Sequence, residues 1–245
     1  MNHALGRRVP SDWNHVEKYP FSAVSVATTE TVEKVLKLPS FHRTWDQGNE
    51  GACVGFGTSM MMSIINEAQA RATNASPVTH RYNPWWLWNQ AKMIDEWDDT
   101  NPGDDNGTSV RAACDVLRKS GHVRIRRGKD LEPDKKQGIF KNRWAQTVDE
   151  LRTAVATDLP VSIGVNWYSN FDKPQKTGRE FWIGKEDLGF IRGGHCVCLY
   201  GASDRRQAFK LKNSWGKFYP EVWIPYETMR RLISEYGECA LVTDI

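Results

Sequence analysis

An α+β fold is expected for this chain, because two patterns divide it. In residues 45–127 apolar residues recur at helical spacing, whereas in residues 128–245 they alternate in short runs, as strands do. A third observation is size: 245 residues suffice for one domain or for two closely packed halves. The expected organisation is therefore an N-terminal segment, 1–44, packing on the body, a helical half, 45–127, and a β half, 128–245.

The elements follow in order. After a loop-like N-terminal segment, "CVGFGTSMMMSIINEAQAR" places Phe56, Met60, Ile64 and Ala68 four residues apart with Met61 and Ile65 beside them, the pattern of a buried helix that begins at Cys53. "NPWWLWNQAK" starts with a proline tolerated in a first helical turn, and its tryptophans are read as core. In "GTSVRAACDVLRKSG", Val110, Ala113, Cys114 and Leu117 form one face, and Gly121 is a helix stop. Residues 128–144 mix charge with turn formers and read as a link between the halves. Thr147 and Glu150 have capping-box spacing; "VSIGV", "GGHCVCLYGA" and "AFKLKNSW" then read as strands.

Composition excludes several classes. With 33 basic and 30 acidic residues the net charge is only +3, and the basic cluster "RIRRGK" belongs to no nucleic-acid-binding motif, so no nucleic-acid partner is expected. No apolar run approaches the ~20 residues of a membrane helix, and "FSAVSVATTETVEK" is too polar for a signal peptide. Neither a membrane partner nor secretion is expected. Five cysteines without a framework spacing suggest reduced thiols in a cytoplasmic compartment.

A thiol becomes a nucleophile when its thiolate is stabilised, and a helix N-terminus and a nearby histidine both do this. Cys53 has the first by position. His195, in "RGGHCVC", is the candidate base, and Asn213, in "LKNSWG", can orient its ring from a neighbouring strand.

"DQGNEGACVGF", "GGHCV" and "KNSWG" resemble the signatures of the papain-like cysteine peptidases. The 142 residues from Cys53 to His195 fall within the family interval of ~130–150, and 18 more lead to Asn213. The resemblance covers roughly residues 40–245, with "NGTSV" matching a substrate-lining turn and "DLPVSIGV" a barrel strand. It implies a helical half packed against an antiparallel β-barrel-like half with the active-site cleft between them. Cys53 matches the nucleophile, His195 the general base and acid, Asn213 its orienting partner and Gln47 the side-chain donor of the oxyanion hole. Trp215 matches the indole that covers the Asn–His contact, and Gly107, Thr108, Gly164, Gly193, Gly194 and Trp215 are the implied substrate-binding positions. The implied partner is a peptide or protein substrate, cleaved by a monomer that needs no cofactor.

There are also departures. Glu50 stands where many members have a disulfide cysteine, Val54 replaces the usual aromatic, and Tyr219-Pro220 replaces a Trp-Gly pair. The 52 residues before Cys53 do not fit the inhibitory helical propeptide of secreted members, so the chain is most similar to compact bacterial or phage-encoded ones, the latter acting in a host cytoplasm. Gly164 and Gly194 imply a wide, uncharged pocket for bulky apolar side chains; alternatively they only permit close strand approach. His195, Cys196 and Cys198 do not read as a metal site, since alternation puts the histidine opposite the two thiols. Cys114 is read as core, Cys239 has no assigned role, and His42 and His80 belong to no motif. A thiol amidase or transferase on a non-protein amide, or an inactive module that binds a protein partner, would use the same residues.

Overall fold

The structure is a computed structural model that describes residues 3–73, 81–98, 107–126, 129–131 and 136–244. Its elements in chain order are α1 (Asn14–Lys18), β1 (Glu33–Val35), α2 (Cys53–Ala72), β2 (Arg81–Tyr82), α3 (Pro84–Lys92), α4 (Val110–Lys119), β3 (Arg124–Arg126), β4 (Lys129–Leu131), β5 (Lys141–Trp144), α5 (Val148–Ala156), β6 (Val161–Tyr168), β7 (Gln175–Thr177), β8 (Glu180–Trp182), β9 (Ile191–Ser203), β10 (Ala208–Lys212), β11 (Val222–Pro225), α6 (Tyr226–Ser234) and β12 (Glu238–Asp244).

The local signals operate as chemistry requires. Asn83 caps α3 by accepting from Trp86 N at 3.1 Å, with Pro84 in the first turn. Ser109 caps α4 by accepting from Ala112 N at 3.0 Å, and Gly121 beyond its end has φ +70°, a left-handed conformation that suits glycine. Thr147 and Glu150 form a reciprocal capping box on α5, worth about 1 kcal/mol.

Nine strands make one large sheet, paired in the order β5-β12-β6-β9-β10-β11-β8-β7, with β1 on β9. All pairs are antiparallel except β11 with β8. β2, β3 and β4 form a separate small sheet. Two segments read as loop or link therefore carry structure: the N-terminal segment supplies α1 and β1, and residues 128–144 supply β4 and β5. These elements are three to five residues long, too short to show a period.

The 20-residue α2 is buried on every side over its first 15 residues, because α3 and α4 cover one flank and β9 the other. Gly57 is what lets it settle on β9: a Cβ there would lie 2.7 Å from Cys196 Sγ. Phe56, Met60, Met61, Leu87, Leu117, Cys196, Cys198 and Tyr200 share the core around α2. A second apolar core joins the apolar faces of α5 and α6 to β6, β9, β10 and β12 through Leu151, Val155, Ile163, Val197, Leu199, Phe209, Met229, Leu232 and Leu241. No helix among the described residues is long and apolar enough to cross a membrane.

Two histidines lie in these interiors. His42 and His122 have no exposed surface, and neither ring nitrogen of His42 has a hydrogen-bond partner. His122 Nε2 meets Ser59 Oγ at 2.7 Å. Burial pushes both histidines down from 6.5 to about 3, so between those values the unfolded chain binds protons that the folded one refuses. Stability held above pH 6.5 is thus lost as pH falls toward about 3. His42→Phe, which keeps an aromatic ring beside Trp45 and removes one such group, is expected to narrow the difference between urea midpoints measured above and inside that window. An unchanged difference would show that His42 is protonated in the folded protein.

Candidate active site

His195 lies in β9 opposite Val165 of β6, and Asn213 follows the last residue of β10. Asn213 Oδ1 accepts from Ser214 N at 2.7 Å and meets His195 Nε2 at 2.9 Å. Because a backbone N–H can only donate, the first bond identifies Oδ1 as an acceptor. His195 Nε2 must then carry the proton, and in the neutral ring Nδ1 holds the lone pair. Nδ1 is buried and has no hydrogen-bond partner. Burial pushes His195 down to about 3, outweighing the Asn213 bond, which favours the charged form. The ring is neutral, oriented and basic at one nitrogen.

Aromatic rings enclose this pair. Trp167 meets the imidazole edge-on at 4.7 Å between centroids, and Trp215 lies 4.9 Å away on another side. Tyr219 packs edge-on against Trp215 at 5.1 Å, held by its hydroxyl donating to Phe171 O at 2.7 Å. Excluding water from the Asn–His bond strengthens it.

Cys53 is the first residue of α2, fully buried, at the end where the helix dipole favours a thiolate. Gln47 lies six residues earlier in a loop stitched to the Asn213 segment. Gln47 N donates to Ser214 O at 2.9 Å, Gly216 N to Trp45 O at 2.9 Å, and Ser214 Oγ to Gln47 Oε1 at 2.6 Å. The last bond commits the oxygen of the Gln47 amide and leaves Nε2 to donate.

Those donors are occupied by the chain itself. Gln47 Nε2 donates to Glu50 O at 2.8 Å and to Ala4 O at 3.2 Å. Residues 3–8 form an extended strap across the site. His3 stacks on Trp215 at 4.7 Å with planes 11° apart. Gly6 N and Arg7 N both donate to Gly194 O, at 3.1 and 2.9 Å, while Thr108 N donates to Gly6 O and Arg8 N to Thr108 O at 2.8 and 2.9 Å. The fit leaves no room for side chains: a Cβ on Gly6 would lie 2.0 Å from Gly51 O, and one on Gly194 2.0 Å from Arg7 O.

The strap's Arg7 points into the space expected to be an apolar pocket. A Cβ on Gly164 would lie 2.9 Å from Arg7 Cγ and 2.8 Å from Val110 Cγ2. The Arg7 guanidinium donates from Nε to Glu238 Oε2 at 3.1 Å and from Nη2 to Tyr236 O, and both partners of the ion pair are fully buried. Gly164 and Gly194 contribute no side chain and allow this close approach, and Glu238, the β12 residue registered against Gly164, brings a buried carboxylate beside them. Burial alone would raise the Glu238 carboxyl, but Arg7, His15 and the Arg111 N–H together hold it below the ordinary value.

Gly107, Thr108, Gly164, Gly194 and Trp215 thus all border the strap, and Gly193 faces Leu5, whose Cδ1 would lie 3.2 Å from an added Cβ. Asn106 of the "NGTSV" turn and His80 lie outside the described residues. All five cysteines are buried and none is in a disulfide. Burial holds Cys114, Cys196 and Cys198 protonated and pushes Cys239 up to about 12. Among the described residues no group of histidines, cysteines and carboxylates could hold a metal ion. Sequence reasoning missed Trp167, Ser214, Tyr219, Glu238 and the strap. Glu238 had one signal, a carboxylate opening the apolar run "CALV".

No family model and no curated protein matches this sequence. Solved structures do. The crystal structure of xylellain, a cysteine protease from Xylella fastidiosa, matches with a TM-score of 0.70 over 100% of this chain and 98% of that one, at 17% identity. Procathepsin B S9 from Trypanosoma congolense matches at 0.65 over 98% and 87%, at 12% identity. Digestive procathepsin L 3 of the Tenebrio molitor larval midgut matches at 0.62 over 98% and 75%, at 13% identity. The chain has the papain-like fold.

Within that papain-like frame the strap is the cover of the cleft, and its docking depends on bare backbone. Gly6→Val places a side chain against Gly51 O and leaves Cys53, His195, Asn213 and Gln47 unaltered. Alkylation of Cys53 by a small thiol reagent, followed by mass spectrometry, is expected to accelerate by ~10-fold for every ~1.4 kcal/mol of docking lost. Equal rates in the two proteins would show that the strap does not gate the thiol.

Proposed function

We propose that this chain is a thiol-dependent hydrolase, a papain-like cysteine peptidase that cleaves peptide bonds through Cys53, His195 and Asn213. The observation that carries the proposal is the pair of bonds to Asn213 Oδ1, which orients a neutral imidazole and leaves Nδ1 as its one basic atom. Unpartnered ring nitrogens are also found on the buried His42 and His122; what sets His195 apart is the Asn213 amide, whose oxygen is fixed as an acceptor and so determines which ring nitrogen is basic.

In the proposed reaction the Cys53 thiol gives its proton to His195 Nδ1, and the thiolate attacks the carbonyl carbon of a substrate amide. The Gln47 amide and the Cys53 N–H donate to the oxyanion. As the C–N bond breaks, His195 returns the proton to the departing amine, leaving a thioester on Cys53. Water then gives a proton to His195, adds to the thioester and releases the acid, restoring the thiol. Asn213 holds the ring through both proton transfers.

Ala4 O now occupies the Gln47 donor, so the strap must leave before a substrate carbonyl can be polarised. Its departure also admits water to the site, which relieves the burial that depresses His195 and makes a transient imidazolium affordable. The reduced state of all five thiols fits an enzyme that folds without oxidation.

An epoxide-type thiol inhibitor is expected to label Cys53, in a manner that depends on His195. Cys53→Ala and His195→Ala should each abolish turnover of a peptide substrate, while Asn213→Ala should retain a reduced rate, since orientation is lost but the base remains. Turnover surviving in Cys53→Ala would refute the mechanism. Gln47→Ala is expected to lower kcat by ~10²-fold with little change in KM, because the oxyanion exists only after attack. A change confined to KM would place Gln47 outside the oxyanion hole.

A further inference from the structure

We infer that Asp172 is a positioning residue for His195: by accepting the hydrogen bond of the Trp167 indole it holds that ring against the imidazole, and so fixes the direction in which Nδ1 points. The role of Nδ1 as proton acceptor rests on the peptidase reading; the hold on the ring is a matter of geometry. A hydrogen bond at one ring atom is a pivot. Asn213 fixes Nε2, but about that point the imidazole plane can still tilt, and with it the lone pair on Nδ1. Packing stops the tilt, from Trp167 at 4.7 Å and 70° and from Trp215 at 4.9 Å and 36°. The two indoles are not equally secured. Trp215 Nε1 is buried with no hydrogen-bond partner, and its ring loses the His3 stack when the strap lifts. Trp167 Nε1 donates to Asp172 Oδ1 at 3.0 Å.

Asp172 is itself tied to the strand that carries the histidine. It ends a short 3₁₀ turn, Ser169–Asp172, in which Ser169 N and Asn170 N donate to Phe190 O and Leu188 O at 2.9 and 3.2 Å. Its carboxylate accepts from Arg192 Nη1 on both oxygens at 2.8 Å. Arg192 owes its place to a slip in register between β6 and β9: Trp167 pairs with Gly193 but Tyr168 with Ile191, so Arg192 is the extra residue of a bulge. A bulge re-aims a side chain, and here it closes a circuit, from His195 along β9 to Arg192, across to Asp172, and through the indole back to the imidazole. Arg192 Nη2 also donates to His3 O at 3.2 Å. The bonds to Asp172 do not involve the strap, so the hold persists in the uncovered site. An aspartate that served only to satisfy a buried indole N–H would need no such anchor. After burial and the Asn213 bond, the charged and titratable groups that act on His195 are Arg192 and His3, and both disfavour its proton, so the carboxylate beside Arg192 also offsets a charge that opposes the base.

The test reads the thiol rather than turnover. In the full chain carrying Gly6→Val, Cys53 is alkylated with chloroacetamide at about pH 6, below the ordinary thiol value of ~8.5, and at about pH 9.5, above it, and the label is located by mass spectrometry. A well-placed imidazole stabilises the thiolate at the lower pH; at the higher one the thiol ionises unaided. Asp172→Ala is expected to slow alkylation ~10-fold at the lower pH and less than about twofold at the higher. Trp167→Phe, which breaks the same bond and spares the ion pair, should slow it at least as far. Adding Asp172→Ala to Trp167→Phe should then cost less than about twofold more, because the two changes remove one interaction. An unchanged low-pH rate in either single variant overturns the proposal. So does a full further loss in the double variant, which would mean that the carboxylate acts through the charge of Arg192 and not through the ring. Should Asp172→Ala fail to fold, Asp172→Leu, closer in shape and also without an acceptor, takes its place in the cycle. If the wild-type protein cleaves no peptide while this pattern of rates holds, the peptidase reading fails and the positioning role stands.

Discussion

The site depends on one buried seam, where the loop Trp45–Gln47 pairs with Ser214–Gly216. Without it the loop that leads into α2 and the segment that carries Asn213 would be held only by apolar packing, which is non-directional and tolerates sliding. The seam adds direction. Two backbone bonds fix its register, and Ser214 completes the assignment by donating to Gln47 Oε1 while its own N–H donates to Asn213 Oδ1. A single serine thus determines which way two amides face, the one on Gln47 and the one on Asn213. His195 inherits its tautomer from the second of these. Since the groups are buried, each misdirected amide would leave a donor or acceptor unsatisfied, and the network is strongly selected over its flipped alternatives.

Desolvation acts twice on the same histidine. The rings of Trp167 and Trp215 strengthen its bond to Asn213, but the dryness they create, completed by the strap, also keeps the ring neutral. In the covered state the imidazole is oriented but reluctant to hold a proton. Stacked on Trp215, His3 belongs to that cover, and Ala4 O takes a hydrogen bond from Gln47 that the proposed mechanism reserves for the oxyanion. Under the proposed mechanism covering and quenching are the same contact, because the strap presents to Gln47 the kind of atom, a carbonyl oxygen, that a substrate would present.

Much of this was legible in the sequence where the information is local or periodic. The buried helix from Cys53, the capping box of Thr147 and Glu150, and the strands β6, β9 and β10 follow from spacing alone, whereas the caps at Asn83 and Ser109 were not read. The Asn213–His195 bond was reachable because adjacent strands bring residues 18 apart into contact. Residues 3–8 were not reachable. Their partners are scattered along the chain, from Gln47, 43 residues from Ala4, to Glu238, 231 residues from Arg7, and their contacts are mostly backbone, which carries no residue signature. Trp167 and Tyr219 were ambiguous for another reason: aromatic residues in strands and loops build cores far more often than sites.

The glycines join the cover to the cleft. Gly6 on the strap and Gly107 and Gly194 on the walls touch backbone to backbone; a Cβ on Gly107 would lie 2.3 Å from Gly6 O, and those on the other two 2.0 Å from a carbonyl oxygen. Any one side chain added on a wall would exclude the strap, but it would equally exclude a substrate main chain from lying there. On the proposed function, the bareness that permits the block is also the bareness that a peptide substrate would need, and the two cannot be separated by altering the walls. Differences between strap and substrate must come from side chains. Arg7 anchors the strap through a buried ion pair, so the strength of the cover turns on the carboxylate of Glu238.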